Sequence, residues 1–85
     1  MASYRLLIKP SAAKEIEALP KTDRRRVVAK IEGFAGNPRP PGCEKLSGHD
    51  QYRLRQGSYR ILYCIEDQNL VVIVVRAGHR REVYR

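Results

Sequence analysis

Residues 51–76 read QYRLRQGSYRILYCIEDQNLVVIVVR. Within Gln51–Arg55 the alternation is strict: Tyr52 and Leu54 fall on one side, Arg53 and Arg55 on the other, as in a half-buried β-strand. Gln56-Gly57-Ser58 is a turn, and Tyr59 to Glu66 is the returning strand of a hairpin. Asp67-Gln68-Asn69 turns the chain again into the apolar run that starts at Leu70 and ends at Arg76. Gly78 is expected to break that last strand.

Outward from this β half, the N-terminal part reads as one strand followed by two helices. Tyr4 to Ile8 reads as a first strand stopped by Lys9-Pro10. Ser11 is the expected N-cap of a short helix through Leu19, with Ala12, Ile16 and Leu19 on one face, and Pro20 ends it. Thr22 or Asp23 is expected to cap a second helix, in which Val27, Val28, Ile31, Phe34 and Ala35 form an apolar stripe. Gly36-Asn37-Pro38 closes it. Arg39 to Gly42 (RPPG) is an irregular connection, and Glu44-Lys45-Leu46 reads as a short strand before the loop Ser47-Gly48-His49-Asp50. The order β-α-α-β-β-β makes residues 1–85 one α+β domain: a helical hairpin packed on one face of a largely antiparallel, twisted sheet.

Charge narrows the partners. Seventeen basic residues against nine acidic ones give a net charge of +8, and twelve of the seventeen are arginine. Arginine holds phosphate and carboxylate bidentately and stacks on bases, so the expected partners are nucleic acid or a strongly acidic protein. Arg24, Arg25 and Arg26 open the second helix and read as a solvated face, not as a recognition helix. Cys43 and Cys64 lack metal-ligand spacing and are expected to be two thiols in a reducing cytosol. The N-terminal stretch lacks the apolar segment of a signal peptide, and no stretch reaches membrane-spanning length, so a cytoplasmic location with no membrane partner is expected.

Chemistry gathers on the polar side of the hairpin. Arg53 and Arg55 share a face, and a tight turn brings Arg60 beside them. The last strand delivers Arg76 and, beyond Gly78, the tail residues His79, Arg80 and Tyr84. Clustered like charges cost stability and usually await an anion. The competing reading is a solvated sheet face whose arginines pair with Glu44, Glu66 or Asp67.

The combination of Y-R-L-R, G-S-Y-R-I-L-Y, an acidic turn, V-V-I-V-V and G-H-R-R-E-V-Y resembles RelE-type toxins of the RelE/ParE toxin–antitoxin superfamily, over essentially the full chain. The resemblance implies a RelE-like fold and a ribosome-dependent mRNA endonuclease that cuts the codon in the ribosomal A site. It implies no metal and no small-molecule cofactor. The family's two basic strand positions fall on Arg53 and Arg55, its hairpin arginine on Arg60, its tail arginine on Arg80 and its C-terminal tyrosine on Tyr84. Lys45, Arg76 and Arg81 join Arg53 and Arg55 as expected RNA- and ribosome-binding residues, and His79 joins the catalytic candidates. The implied partners are the ribosome and mRNA, and an acidic RelB-type antitoxin, with operator DNA reached only through the antitoxin.

The implied reaction is attack of a 2′-hydroxyl on the adjacent phosphorus. One group must take a proton, others must hold the phosphorane charge, and the leaving oxygen must be protonated. Arg60 and Arg80 suit the charge, and Tyr84 suits stacking or ordering of the hydroxyl. Related toxins carry lysines where Arg53 and Arg55 stand, and arginine is a poor proton acceptor. The base stays open between His79 and Glu82, while His49 reads as structural or exposed. Two other readings remain: a ParE-like toxin directed at DNA gyrase, and a non-catalytic basic nucleic-acid-binding module.

Overall fold

A computed structural model of the chain describes residues 3–46 and 50–79. The elements are β1 (Arg5–Ile8), α1 (Pro10–Glu17), α2 (Lys21–Gly33), β2 (Glu44–Lys45), β3 (Gln51–Gln56), β4 (Tyr59–Glu66) and β5 (Val71–His79). They build an α+β fold with one five-stranded sheet in the order β1-β5-β4-β3-β2. The pairs β2–β3, β3–β4 and β4–β5 are antiparallel. Only β1 runs parallel to its neighbour, with Arg5 against Val71 through Ile8 against Val74. The sheet is therefore mixed, antiparallel except at one edge.

The helices cover one face. Ala12 and Ile16 of α1, with Val27, Ile31 and Phe34 from α2 and its C-terminal cap, pack on Tyr52 and Leu54 of β3, Ile61, Tyr63 and Ile65 of β4, and Val72, Val74 and Ala77 of β5. Tyr63 is the hub. Its ring stacks on Phe34 at a centroid distance of 4.1 Å, and its hydroxyl donates to the Pro38 carbonyl at 2.8 Å. Burial pushes that phenol above its ordinary pKa, with Cys43 adding to the effect. It is held neutral, as a donor.

Both helix starts differ from the expected caps. Residue Pro10 begins α1 and Lys9 stands at the N-cap with no side-chain bond, so Ser11 lies inside the first turn. Proline at the first helical position lacks the amide hydrogen that a cap would satisfy. The Lys9 amide itself still donates to the Val74 carbonyl at 3.0 Å, so strand and helix adjoin without a loop. α1 ends at Glu17, not Leu19. Pro20 is the N-cap of α2, which places Thr22 and Asp23 in its first turn instead of before it. The Asp23 carboxylate accepts from the Tyr59 hydroxyl at 3.1 Å, a bond that ties α2 to the sheet.

Gly78 does not break β5. The strand runs through it to His79, because Arg60 of β4 pairs with Gly78 and Tyr59 with His79. A register shift beside Leu62 and Tyr63 accommodates one extra residue in β5, a β-bulge. Sheet pairing overrides the local weakness of glycine as a strand former.

One clamp closes the end of the sheet far from the β3–β4 turn. Arg39, in the irregular connection, donates to both carboxylate oxygens of Asp67 at 3.1 and 2.8 Å, and its guanidinium lies 5.0 Å from the Tyr52 ring centroid. The Tyr4 hydroxyl donates to the same carboxylate at 2.7 Å. These bonds, Arg39 first and Tyr4 second, hold the Asp67 carboxyl below its ordinary pKa. No helix among the described residues is long and apolar enough to cross a membrane.

Candidate functional site

On the sheet face turned away from the helices, where no described helix packs, the β3–β4 register sets Arg55 directly opposite Arg60 and Arg53 opposite Leu62. The pairing follows from the two-residue turn Gly57-Ser58, in which Gly57 takes a left-handed φ of +60°. That conformation is what lets so short a turn match the twist of its strands. Arg60 is 4% exposed. Arg53 is half-buried and Arg55 exposed. Two guanidinium-bearing residues side by side across a ladder repel unless an anion joins them.

The two-residue strand β2 adds a carboxylate to this group. Glu44 pairs with Arg53 and shares its face, and Arg53 donates to Glu44 Oε2 at 2.7 Å. The Arg53 bond is the largest influence holding the Glu44 carboxyl below its ordinary range, and the nearby charges of Arg55 and Arg60 act in the same direction. Of the acids considered as partners from sequence, Glu44 is engaged by Arg53, while Asp67 is engaged by Arg39.

Other candidates lie elsewhere. Arg76 sits beyond the end of β1, where β5 becomes an edge, and its Nε and Nη2 donate to the Glu15 carboxylate of α1 at 3.1 and 2.9 Å. Glu15 Oε1 also accepts from the Ala77 amide at 3.2 Å, so the pair seals that edge. Arg76, which pairs with Leu62 across the β4–β5 ladder, is thereby tied to α1.

His79 is on the helix side of the sheet. It pairs with Tyr59, whose hydroxyl reaches Asp23 of α2, and the two rings meet edge to face at 5.9 Å. A hollow of about 330 Å³ beside it is lined by Asp23, Arg26, Gln56 and Tyr59 among others. Strand alternation explains the separation: Arg60 and Gly78 form one cross-strand pair, Tyr59 and His79 the next, and adjacent pairs point to opposite faces. The register thus sets His79 on the face opposite to Arg55 and Arg60.

Lys45 is exposed on β2, paired with Tyr52. Arg80, Arg81, Glu82, Tyr84 and His49 lie outside the described residues. Among the described residues, no group of three or more His, Cys, Asp or Glu side chains is placed to hold a metal ion. Sequence reasoning gave Glu44 only the part of a neutralising partner and gave Arg39 no part. The two-residue offset that brings Glu44 onto the arginine face depends on a β2–β3 register that no local pattern specifies.

Comparison with known proteins places this arrangement among relatives. Residues 6–84 match the family described as the ParE toxin of the type II toxin–antitoxin system parDE. The chain is 41% identical to Toxin RelG of Mycobacterium tuberculosis, over 96% of this chain and 97% of that one. Among solved structures, the isolated RelE toxin of Escherichia coli superposes with a TM-score of 0.79 at 32% identity, covering 96% of this chain and 92% of its own. The archaeal RelE of a RelE–RelB complex from Pyrococcus horikoshii gives a TM-score of 0.83 at 28% identity, covering 92% of this chain and 96% of its own.

Proposed function

This chain belongs to the RelE/ParE family of type II toxin–antitoxin toxins, and on that premise we propose that it is a ribosome-dependent endoribonuclease that cuts mRNA in the ribosomal A site. The observation that carries the reading is the Arg55–Arg60 cross-strand pair, with Arg53 two residues along the same face. Guanidinium groups in that arrangement suit successive phosphates of a single strand.

In this reading Arg60, with Arg80 from the tail, stabilises the phosphorane, and Tyr84 stacks on a base or orders the attacking hydroxyl. Arg53, Arg55, Lys45 and Arg81 hold the RNA backbone and the ribosome. Arg76 serves the fold through Glu15. The ribosome supplies the substrate geometry that so small a site does not, which agrees with the absence of a paired acid and base among the expected catalytic residues. The basic surface suits an acidic RelB-type antitoxin as its neutralising partner, and the action is placed in the cytoplasm, where translating ribosomes are.

The matched family description names ParE, and this favours one second reading: a toxin directed at DNA gyrase. Induced expression followed by mapping of mRNA 5′ ends against reading frame separates the two. Cuts within translated codons are expected. Intact mRNA with DNA breaks at gyrase sites would establish the second reading instead.

A further inference from the structure

The hollow beside the β3–β4 turn has no part in the cleavage reading. Its volume of about 330 Å³ lies within the range of small-ligand clefts, ~300–1,000 Å³. Asp23 and Arg26 of α2, Gln56 and Tyr59 on either side of the turn, and His79 of β5 line it. Asp23 and Arg26 are three apart on α2 and so stand side by side on one helix face. The Asp23 carboxylate receives the Tyr59 hydroxyl on Oδ2, which leaves Oδ1 to accept. Among the described residues no carboxylate pairs with Arg26. The Gln56 amide adds donors and an acceptor. The rings of Tyr59 and the exposed His79 meet edge to face at 5.9 Å, so flat aromatic surface adjoins the polar groups.

We propose that this hollow takes an unstacked guanine base of single-stranded RNA, an inference that rests on RNA being what the neighbouring arginine face holds. Proteins read single-stranded RNA by splaying bases out, stacking them on aromatic rings and hydrogen-bonding their edges. A guanidinium forked onto O6 and N7 is the commonest specific contact to guanine, and Arg26 supplies that fork. Asp23 Oδ1 accepts from the N1–H or the 2-amino group, and Tyr59 or His79 gives the stacking surface. Adenine would turn an amino donor towards Arg26 where guanine has O6, and pyrimidines have no N7.

The register places the hollow within reach of the same strand of RNA. Arg55–Arg60 and Gln56–Tyr59 are consecutive cross-strand pairs, and consecutive pairs point to opposite faces. Only the turn separates the arginine face from the hollow. Apart from its chain neighbours, no atom lies within 4 Å of where a Gly57 Cβ would stand, so the tip is open for a strand to round it. A backbone held by Arg55 and Arg60 on one side can thus seat an adjoining base on the other. The base belongs either to the mRNA or to the ribosome's own RNA, and its chemistry is the same in both.

The test titrates guanosine 5′-monophosphate into the isotope-labelled full-length protein by NMR, beside the monophosphates of inosine, 7-deazaguanosine and adenosine. The guanosine nucleotide is expected to shift the amides of Asp23, Arg26, Gln56 and His79. Inosine lacks the 2-amino group and 7-deazaguanosine lacks N7, and each should bind at least ~5-fold more weakly, the lower bound for one good base contact. Arg26→Ala should bind guanosine and 7-deazaguanosine nucleotides alike, a change that a loss of stability would not produce. Asp23→Asn keeps an acceptor for the Tyr59 hydroxyl and should erase the difference between guanosine and inosine. Equal shifts from all four nucleotides, or no shift at these four amides, would overturn the proposal. Cleavage mapping on ribosomes then separates the two sources of the base. An Arg26→Ala defect confined to codons with guanine beside the cut assigns it to mRNA, and weaker ribosome association at every codon assigns it to ribosomal RNA. A parent inactive on ribosomes would overturn the cleavage reading, while the nucleotide titration still decides the hollow.

Discussion

Ile61, Tyr63 and Ile65 leave β4 towards the helices, while Arg60, Leu62 and Cys64 leave it on the other side. The first set is continuous with the buried cluster of both helices. The second is flanked by Arg53 and Arg55 of β3 and by Glu44 of β2. One strand therefore serves two masters in alternate residues, one side fixing the fold and the other offering charge. Substitutions one position apart along β4 should therefore fail in different ways, one set through stability and the other through binding.

The largest effect is expected on the helix side. Tyr63→Ala removes the ring stacked on Phe34 and Tyr52 together with its hydroxyl bond to the Pro38 carbonyl. A loss of about 3–5 kcal/mol in urea unfolding is expected, as for other large aromatic deletions, and this is most of what a small domain has. On ribosomes its rate per folded molecule should stay near the parent's. A folded variant with a specific rate defect would break the division between the faces.

Second in size is the tail. If Arg80 stabilises the phosphorane, Arg80→Ala should lower the single-turnover rate by ~10²–10³-fold with association and melting temperature unchanged. Equal cleavage by Arg80→Ala once bound would remove the tail from the active site.

A smaller effect is expected on the charged side of β3. Arg55→Ala lies on the exposed charged side, so its melting temperature should not fall. Ribosome association should weaken, and the logarithmic salt dependence should flatten by ~1 unit, as for one lost phosphate contact. A fall in stability comparable to that of Tyr63→Ala would show that the arginine face holds the fold together.

The smallest effect is at Asp67, in the exposed clamp with Arg39 and Tyr4. Folding lowers its proton affinity, so its contribution is complete above the ordinary carboxylate value of about 4 and fades as pH falls through the lower folded value. Glu44 contributes with the same sign in the same acid range. Asp67→Asn should therefore lower the neutral melting temperature slightly and converge on the parent as pH falls through the acid range, so that its plot against pH is flatter there.

The strand limits of the hairpin were legible because alternation is local: Tyr59 to Glu66 reads directly from residue order, and Arg53, Arg55 and Arg60 follow onto one face. Local rules failed where a distant partner decides. Gly78 looks like a terminator until Arg60 pairs with it, and that added length carries His79 to the helix side. Asp23 looks like a cap until Tyr59 claims its carboxylate. The bond of Arg76 to Glu15 depends on where β1 ends and β5 becomes an edge, which residue order alone does not show. Composition points to anionic partners, and register sets Arg53, Arg55 and Arg60 on one face.

The parallel seam between β1 and β5 bears on the timing of synthesis. A chain leaves the ribosome N-terminus first, and Arg5–Ile8 must wait for Val71–Val74 before it can pair. The β3–β4 hairpin can form earlier, yet Arg60 gains its neighbour Gly78 only when β5 arrives. Such distant pairings are slow to close. A nascent chain therefore carries an incomplete sheet, with β1 unpaired, until Val71–Val74 emerge to meet it.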